Sequence, residues 1–192
     1  MKKRVFVFVS VAMAALVLAA AGCSRTAPPL EHDAESAALL AGRWQRELSL
    51  ETQISTDEAN PQRVTGTVAS KAITVLTLNE DQTLSLESRQ EFISYTPADG
   101  AEPLPEEVVE RHFSQSVTVL GTFVATPLLI EYDQVEVSID GSAPVPFEEF
   151  LAATSQTMER RQRAVWTLEG DRLTLMTEQN SEPMEAVYIR MD

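Results

Sequence analysis

The residues that most constrain the fold are Ala164-Val165-Trp166-Thr167-Leu168, then Glu169-Gly170-Asp171-Arg172, then Leu173-Thr174-Leu175-Met176. Trp166 and Leu168 fall two apart before the glycine, and Leu173 and Leu175 two apart after it. On a helix, residues two apart do not share a face, whereas on a strand they do. Gly-Asp between two such runs is turn chemistry, so the segment predicts an antiparallel hairpin.

The same pattern recurs along the chain. Residues 72–78 and 83–92 flank the turn formers Asn79-Glu80-Asp81-Gln82, with Val75, Leu84 and Leu86 as apolar strand positions. Residues 117–126 and 128–139 flank Pro127, which has no N–H to give to a ladder and so marks a break between two strands. Residues 184–191 read as a last strand. Near the start, Trp44, Leu48 and Leu50 share one parity while Arg43, Gln45, Glu47 and Ser49 take the other, the alternation of a half-buried first strand. Residues 31–41 ahead of it read as a brief alanine-rich helix, with Gly42 placed as its C-terminal cap. A second helix is predicted over 147–163. Phe147, Phe150, Leu151 and Met158 have helical spacing, Glu148 and Glu149 lie in the first turn, and Arg160, Arg161 and Arg163 near the end would complement the dipole. Residues 96–110, with Pro97, Pro103, Pro105 and Gly100 among acids, read as a mobile loop at a barrel mouth.

A short helix, then Gly42-Arg43-Trp44 on the first strand, a late Gly-Asp hairpin and one helix inserted before the final strands together resemble lipocalins and the looser bacterial lipocalin-like lipoproteins. The resemblance implies a mainly β fold: an antiparallel lipocalin-like barrel of about eight strands with one or two short helices. It also implies that Trp44 closes one end of the barrel beneath an arginine from the last strand. Arg190 is the basic residue available there.

The N-terminus addresses location. Lys2-Lys3-Arg4 precedes an apolar run over 5–18, broken by Ser10, which gives way to small residues, the layout of an export signal. The run is shorter than the roughly 20 apolar residues that span a bilayer. Leu18-Ala19-Ala20-Ala21-Gly22-Cys23 resembles the lipobox of bacterial lipoproteins. That resemblance implies cleavage before Cys23, lipidation of Cys23, and a chain divided into a signal peptide (1–22), a tether with Pro28 and Pro29 (23–33) and a barrel domain (34–192). Cys23 is the sole cysteine, and lipidation would cap a thiol that has no disulfide partner. Each buried methylene contributes about 0.8 kcal/mol, so several acyl chains hold firmly where one does not. Ser24, where an aspartate marks inner-membrane retention in such lipoproteins, implies the cell envelope and, in a Gram-negative host, the outer membrane facing the periplasm.

From Cys23 onward 12 basic residues stand against 29 acidic ones, a net charge of −17. Such a chain repels nucleic acid and anionic headgroups, and neither is expected as a partner. His32 and His112 are the only histidines, and no Gly-x-Ser-x-Gly, phosphate-binding glycine loop or His-x-x-x-His accompanies them. Adjacent carboxylates such as Glu106-Glu107 and Glu148-Glu149 diverge in direction and read as solvated surface. No enzyme, metal site or cofactor is expected. Two readings stay open. In one, the barrel binds a small apolar or amphipathic ligand, lined by Val75, Leu84, Leu86, Phe123, Trp166 and Leu168. In the other, those residues fill the barrel, and the protein is an interaction or accessory module whose partner is another envelope protein.

Overall fold

The computed structural model describes residues 30–55, 64–154, 160–179 and 182–192. The signal-like segment and Cys23 lie outside the described residues. In chain order the elements are α1 (Ala34–Leu40), β1 (Gly42–Ile54), β2 (Gly66–Leu78), β3 (Thr83–Pro97), α2 (Glu106–Phe113), β4 (Ser116–Ala125), β5 (Leu129–Ile139), β6 (Val145–Pro146), α3 (Phe147–Thr154), β7 (Arg161–Glu169), β8 (Arg172–Gln179) and β9 (Glu182–Arg190). The strands follow the order β4-β3-β2-β1-β9-β8-β7-β5, and β4 pairs back onto β5 to close an antiparallel eight-stranded barrel, with the two-residue β6 appended to β5. Among the described residues three short helices accompany it, where one or two were expected.

Turn chemistry sets the hairpins. Between β2 and β3, Gln82 takes φ 69°, Asn79 N–H donates to the Thr83 carbonyl at 3.0 Å, and the Asp81 carboxylate accepts from Thr83 N–H at 3.0 Å and from its hydroxyl at 2.6 Å. Those two bonds hold the Asp81 carboxyl below the ordinary aspartate range, the hydroxyl contributing most. Gly170 turns β7 into β8 at φ 59°, and the pair runs in register from Val165↔Met176 to Glu169↔Arg172. The ring closes between β1 and β9 at Trp44↔Arg190 and Gln45↔Ile189.

The chain divides into two compact units, with β1, β2 and β3 contributing residues to both. One contains residues 47–55, 64–73 and 89–115. Its core is Ile54, Val68, Val109 and Phe113, with Phe92, Tyr95 and Leu104 packed against them. Gln90 Nε2 donates to Ser70 Oγ at 2.8 Å, and Lys71 pairs with Glu47 at 2.7 Å. Of the loop expected over 96–110, residues 98–105 do lie outside helix and strand, while α2 from Glu106 and the end of β3 at Pro97 correct its two ends. Pro105 starts the helix, Glu106 and Glu107 occupy its first turn, Arg111 and His112 its last, and Val109 and Phe113 are buried four residues apart. His112 Nδ1 donates to the Val108 carbonyl at 2.7 Å.

The other unit contains residues 30–46, 74–88 and the described residues from 116 onward. The Asp33 carboxylate caps α1, accepting from Ser36 N–H at 2.8 Å and from the Ser36 hydroxyl. The helix α3 ends at Thr154, so the expected helix over 147–163 is corrected. Arg161 and Arg163 lie on β7, alternating with the buried Gln162, Ala164 and Trp166. They pair with carboxylates of the adjacent β5: Arg163 Nε reaches Glu131 at 2.5 Å and Arg161 Nε reaches Asp133 at 3.5 Å. A period of two and a neighbouring acidic strand outweigh the dipole argument for a longer helix.

Candidate functional site

One end of the barrel is organised around Trp44. The residue is fully buried as the third residue of β1, and its indole Nε1 donates to the Leu40 carbonyl at 2.8 Å, at the end of α1. Arg190 of β9 lies over the ring, its guanidinium carbon 4.1 Å from the centroid. The same guanidinium donates to the Ala41 carbonyl at 3.0 Å and to the Leu39 carbonyl at 3.1 Å. It therefore serves both as a cation over an aromatic face and as the hydrogen-bond cap for the carbonyl end of α1. This is the pairing that the first-strand resemblance implied.

The six proposed lining residues are distributed unevenly. Leu84, Leu86 and Phe123 are at most 3% exposed. Trp166 is buried, with Nε1 donating to the Thr126 carbonyl at 2.8 Å. Leu168 shares its parity but is only half-buried near the end of β7. Val75 is a correction: Ala72, Thr74, Leu76 and Leu78 take the buried parity of β2, and Val75 lies on the opposite, half-buried face. The hydroxyl of the inward Thr74 bonds Ser88 at 3.2 Å.

Leu76, Tyr132, Leu173, Leu175 and Tyr188 are also at most 1% exposed. So little accessible surface means that these side chains pack closely against their neighbours. Beside these apolar groups the barrel buries a polar stripe that hydrophobic patterning does not single out. Ile130, Tyr132 and Gln134 succeed one another on the buried parity of β5. Tyr132 stands opposite Gln162 of β7 and Phe123 of β4, and Gln134 stands opposite Gly121. The Tyr132 hydroxyl and both amide atoms of Gln134 are buried without a hydrogen-bond partner. Burial pushes the Tyr132 phenol well above its ordinary value of 10.0, with nearby Tyr188 adding to the effect. Tyr188 is raised by burial too, and the positive charge of Arg46, together with a hydrogen bond from it, opposes the shift.

A β-bulge at Leu120/Gly121 lies beside this stripe. A Cβ on Gly121 would fall 2.2 Å from the Asp133 carbonyl oxygen, so only glycine permits this approach. The sequence carries one trace of it: apolar parity on β5 switches from Ile130 and Tyr132 to Val135, Val137 and Ile139. Among the described residues no three His, Cys, Asp or Glu side chains gather to hold a metal ion. Glu106 and Glu107 are exposed on the first turn of α2, as are Glu148 and Glu149 on α3.

Fold and interior together define a closed antiparallel β-barrel with a tryptophan–arginine closure at one end. No protein-family model matches the chain, and no curated protein matches it.

Proposed function

We propose that this protein is a lipid-anchored envelope lipoprotein whose barrel is filled by its own side chains, acting without catalysis as an interaction or accessory module. The observation that carries this reading is the near-zero exposure of Leu76, Leu84, Leu86, Phe123, Tyr132 and Leu173, because a ligand cavity needs walls with accessible surface. The export-signal layout and Cys23 support anchoring, and the strongly acidic composition supports a cationic or apolar protein partner rather than nucleic acid.

A second reading, a barrel that takes up a small amphipathic ligand, is favoured by the unpartnered Tyr132 hydroxyl and Gln134 amide. A ligand with both a donor and an acceptor would satisfy them, after the packed side chains move aside. The two readings separate in a titration of the signal-less, Cys23→Ala chain with a fluorescent fatty acid, following tryptophan emission. The filled barrel predicts no saturable binding. Saturable one-to-one binding that Gln134→Met weakens without unfolding the chain would establish the second reading instead.

A further inference from the structure

The outer face of β5 carries three acids at different stations of the strand. Glu131 is held by Arg163 at 2.5 Å, and Asp133 by Arg160 at 2.6 Å and Arg161 at 3.5 Å. Glu136 is exposed, and its carboxylate has no ion-pair or hydrogen-bond partner among the described residues. It stands opposite Leu120 on β4 and Pro146 on β6. It also lines a surface groove of about 210 Å³ with Thr118, Leu120, Val137, Ser138 and Pro144. Leu120, Val135 and Val145 around it are exposed aliphatic side chains.

One wall of this groove is pre-organised. Asp140 and Gly141 take φ 49° and 71°, Ser138 Oγ donates to the Ser142 carbonyl at 2.6 Å, and Asp140 accepts from Ser116 N–H at 2.7 Å. The volume lies below the roughly 300–1,000 Å³ of small-molecule pockets and is on the scale of one amino-acid side chain. Exposed aliphatic side chains thus stand beside a carboxylate that has no partner among the described residues, an arrangement complementary to a cation on an aliphatic stem.

We propose that this groove docks an extended basic segment of a protein partner, in which one arginine or lysine is flanked by aliphatic residues. The cation pairs with Glu136 and is accepted by the Thr118 and Ser138 hydroxyl oxygens, while its aliphatic stem lies over Leu120 and Pro144. Flanking valine or isoleucine side chains cover Val135 and Val145. The acidity of the chain as a whole steers such a segment toward it. The inference deepens the interaction-module reading and rests on it.

The test uses the full chain in a non-ionic detergent and the acetylated, amidated pentapeptide Val-Arg-Val-Lys-Val, with affinity read by calorimetry and location by amide chemical shifts. The expected result is one-to-one binding with shifts confined to 118–120 and 136–138. Affinity should fall about three- to fivefold in Glu136→Gln or when citrulline replaces the arginine, as for a partly exposed ion pair, and Leu120→Ser should weaken binding as well. Absence of binding, shifts elsewhere, or an affinity that Glu136→Gln leaves unchanged would overturn the proposal. Failure here with an interior that still excludes fatty acid would leave the filled-barrel reading standing. Fatty-acid uptake would overturn that reading whatever the pentapeptide does.

Discussion

A Cβ placed on Gly42 would lie 2.8 Å from Nη1 of Arg190, and Gly42 itself holds φ 140°. The glycine that opens β1 thus does two things: it takes a backbone conformation that side chains disfavour, and it leaves room for the guanidinium to reach the Ala41 and Leu39 carbonyls. Gly42→Ala is expected to cost about 1–3 kcal/mol, through backbone strain and displacement of Arg190. Thermal melting should show a loss of about 2–4 °C for each kcal/mol. A melting temperature equal to that of the parent would mean that the guanidinium finds another seat at no cost.

Trp44→Ala should cost roughly 3–5 kcal/mol, a large share of the 5–15 kcal/mol typical of a domain's total stability. Arg190→Met keeps an aliphatic stem over the indole but loses two bonds to carbonyls, so about 1–3 kcal/mol is expected. Urea unfolding of both variants checks the order. A larger loss for Arg190→Met than for Trp44→Ala would show that the carbonyl cap, not the indole, holds this end together.

The buried polar stripe predicts the opposite sign. Tyr132→Phe and Gln134→Met each remove groups that are buried without a partner, so each should leave stability unchanged or raise it by about 1–3 kcal/mol. Their effects also differ with pH. Because the Tyr132 phenol is raised well above 10.0 in the folded chain, the unfolded chain loses its proton first, and stability falls as pH rises above about 10. Tyr132→Phe should flatten that alkaline decline, measurable as urea midpoints between pH 8 and 11, whereas Gln134→Met should not.

For the anchor, Cys23→Ala should abolish incorporation of radiolabelled fatty acid and leave the precursor uncleaved or soluble. Undiminished label in that variant would remove the lipoprotein assignment while leaving the barrel untouched.

Where the fold was legible in the sequence, the information was local. Asn79-Glu80-Asp81-Gln82 specifies its turn through its own hydrogen bonds and a positive φ at Gln82, Glu169-Gly170-Asp171-Arg172 through the positive φ of Gly170, and the hairpins formed where expected. Parity on β2 was not legible in the same way. Ile73 and Val75 on one face and Ala72, Leu76 and Leu78 on the other are all apolar, so hydrophobicity alone does not say which set is inside. The structure turns Thr74 inward because its hydroxyl can meet Ser88 from β3. The helix α2 was hidden by its prolines and acids, since its apolar signal is a single pair, Val109 and Phe113.

The closure was legible only in part. Alternation marks Trp44 as inward, but nothing periodic links it to Arg190, and the pairing came from resemblance to a family rather than from spacing. Gln134 was not legible at all. Pattern reading sends a glutamine to the solvent side, and its burial here depends on the register with β4, where it stands opposite Gly121.

The β1–β9 seam joins the barrel's first strand to its last, and Arg190 reaches back 149 residues to the Ala41 carbonyl. A chain emerging from the ribosome can form the hairpins of β2–β3, β4–β5 and β7–β8 as each is completed, because both strands of each pair are close in sequence. It cannot join that seam until the final strand has been synthesised. A nascent chain that still lacks β9 leaves β1 and β8 as unpaired sheet edges, a state prone to edge-to-edge association.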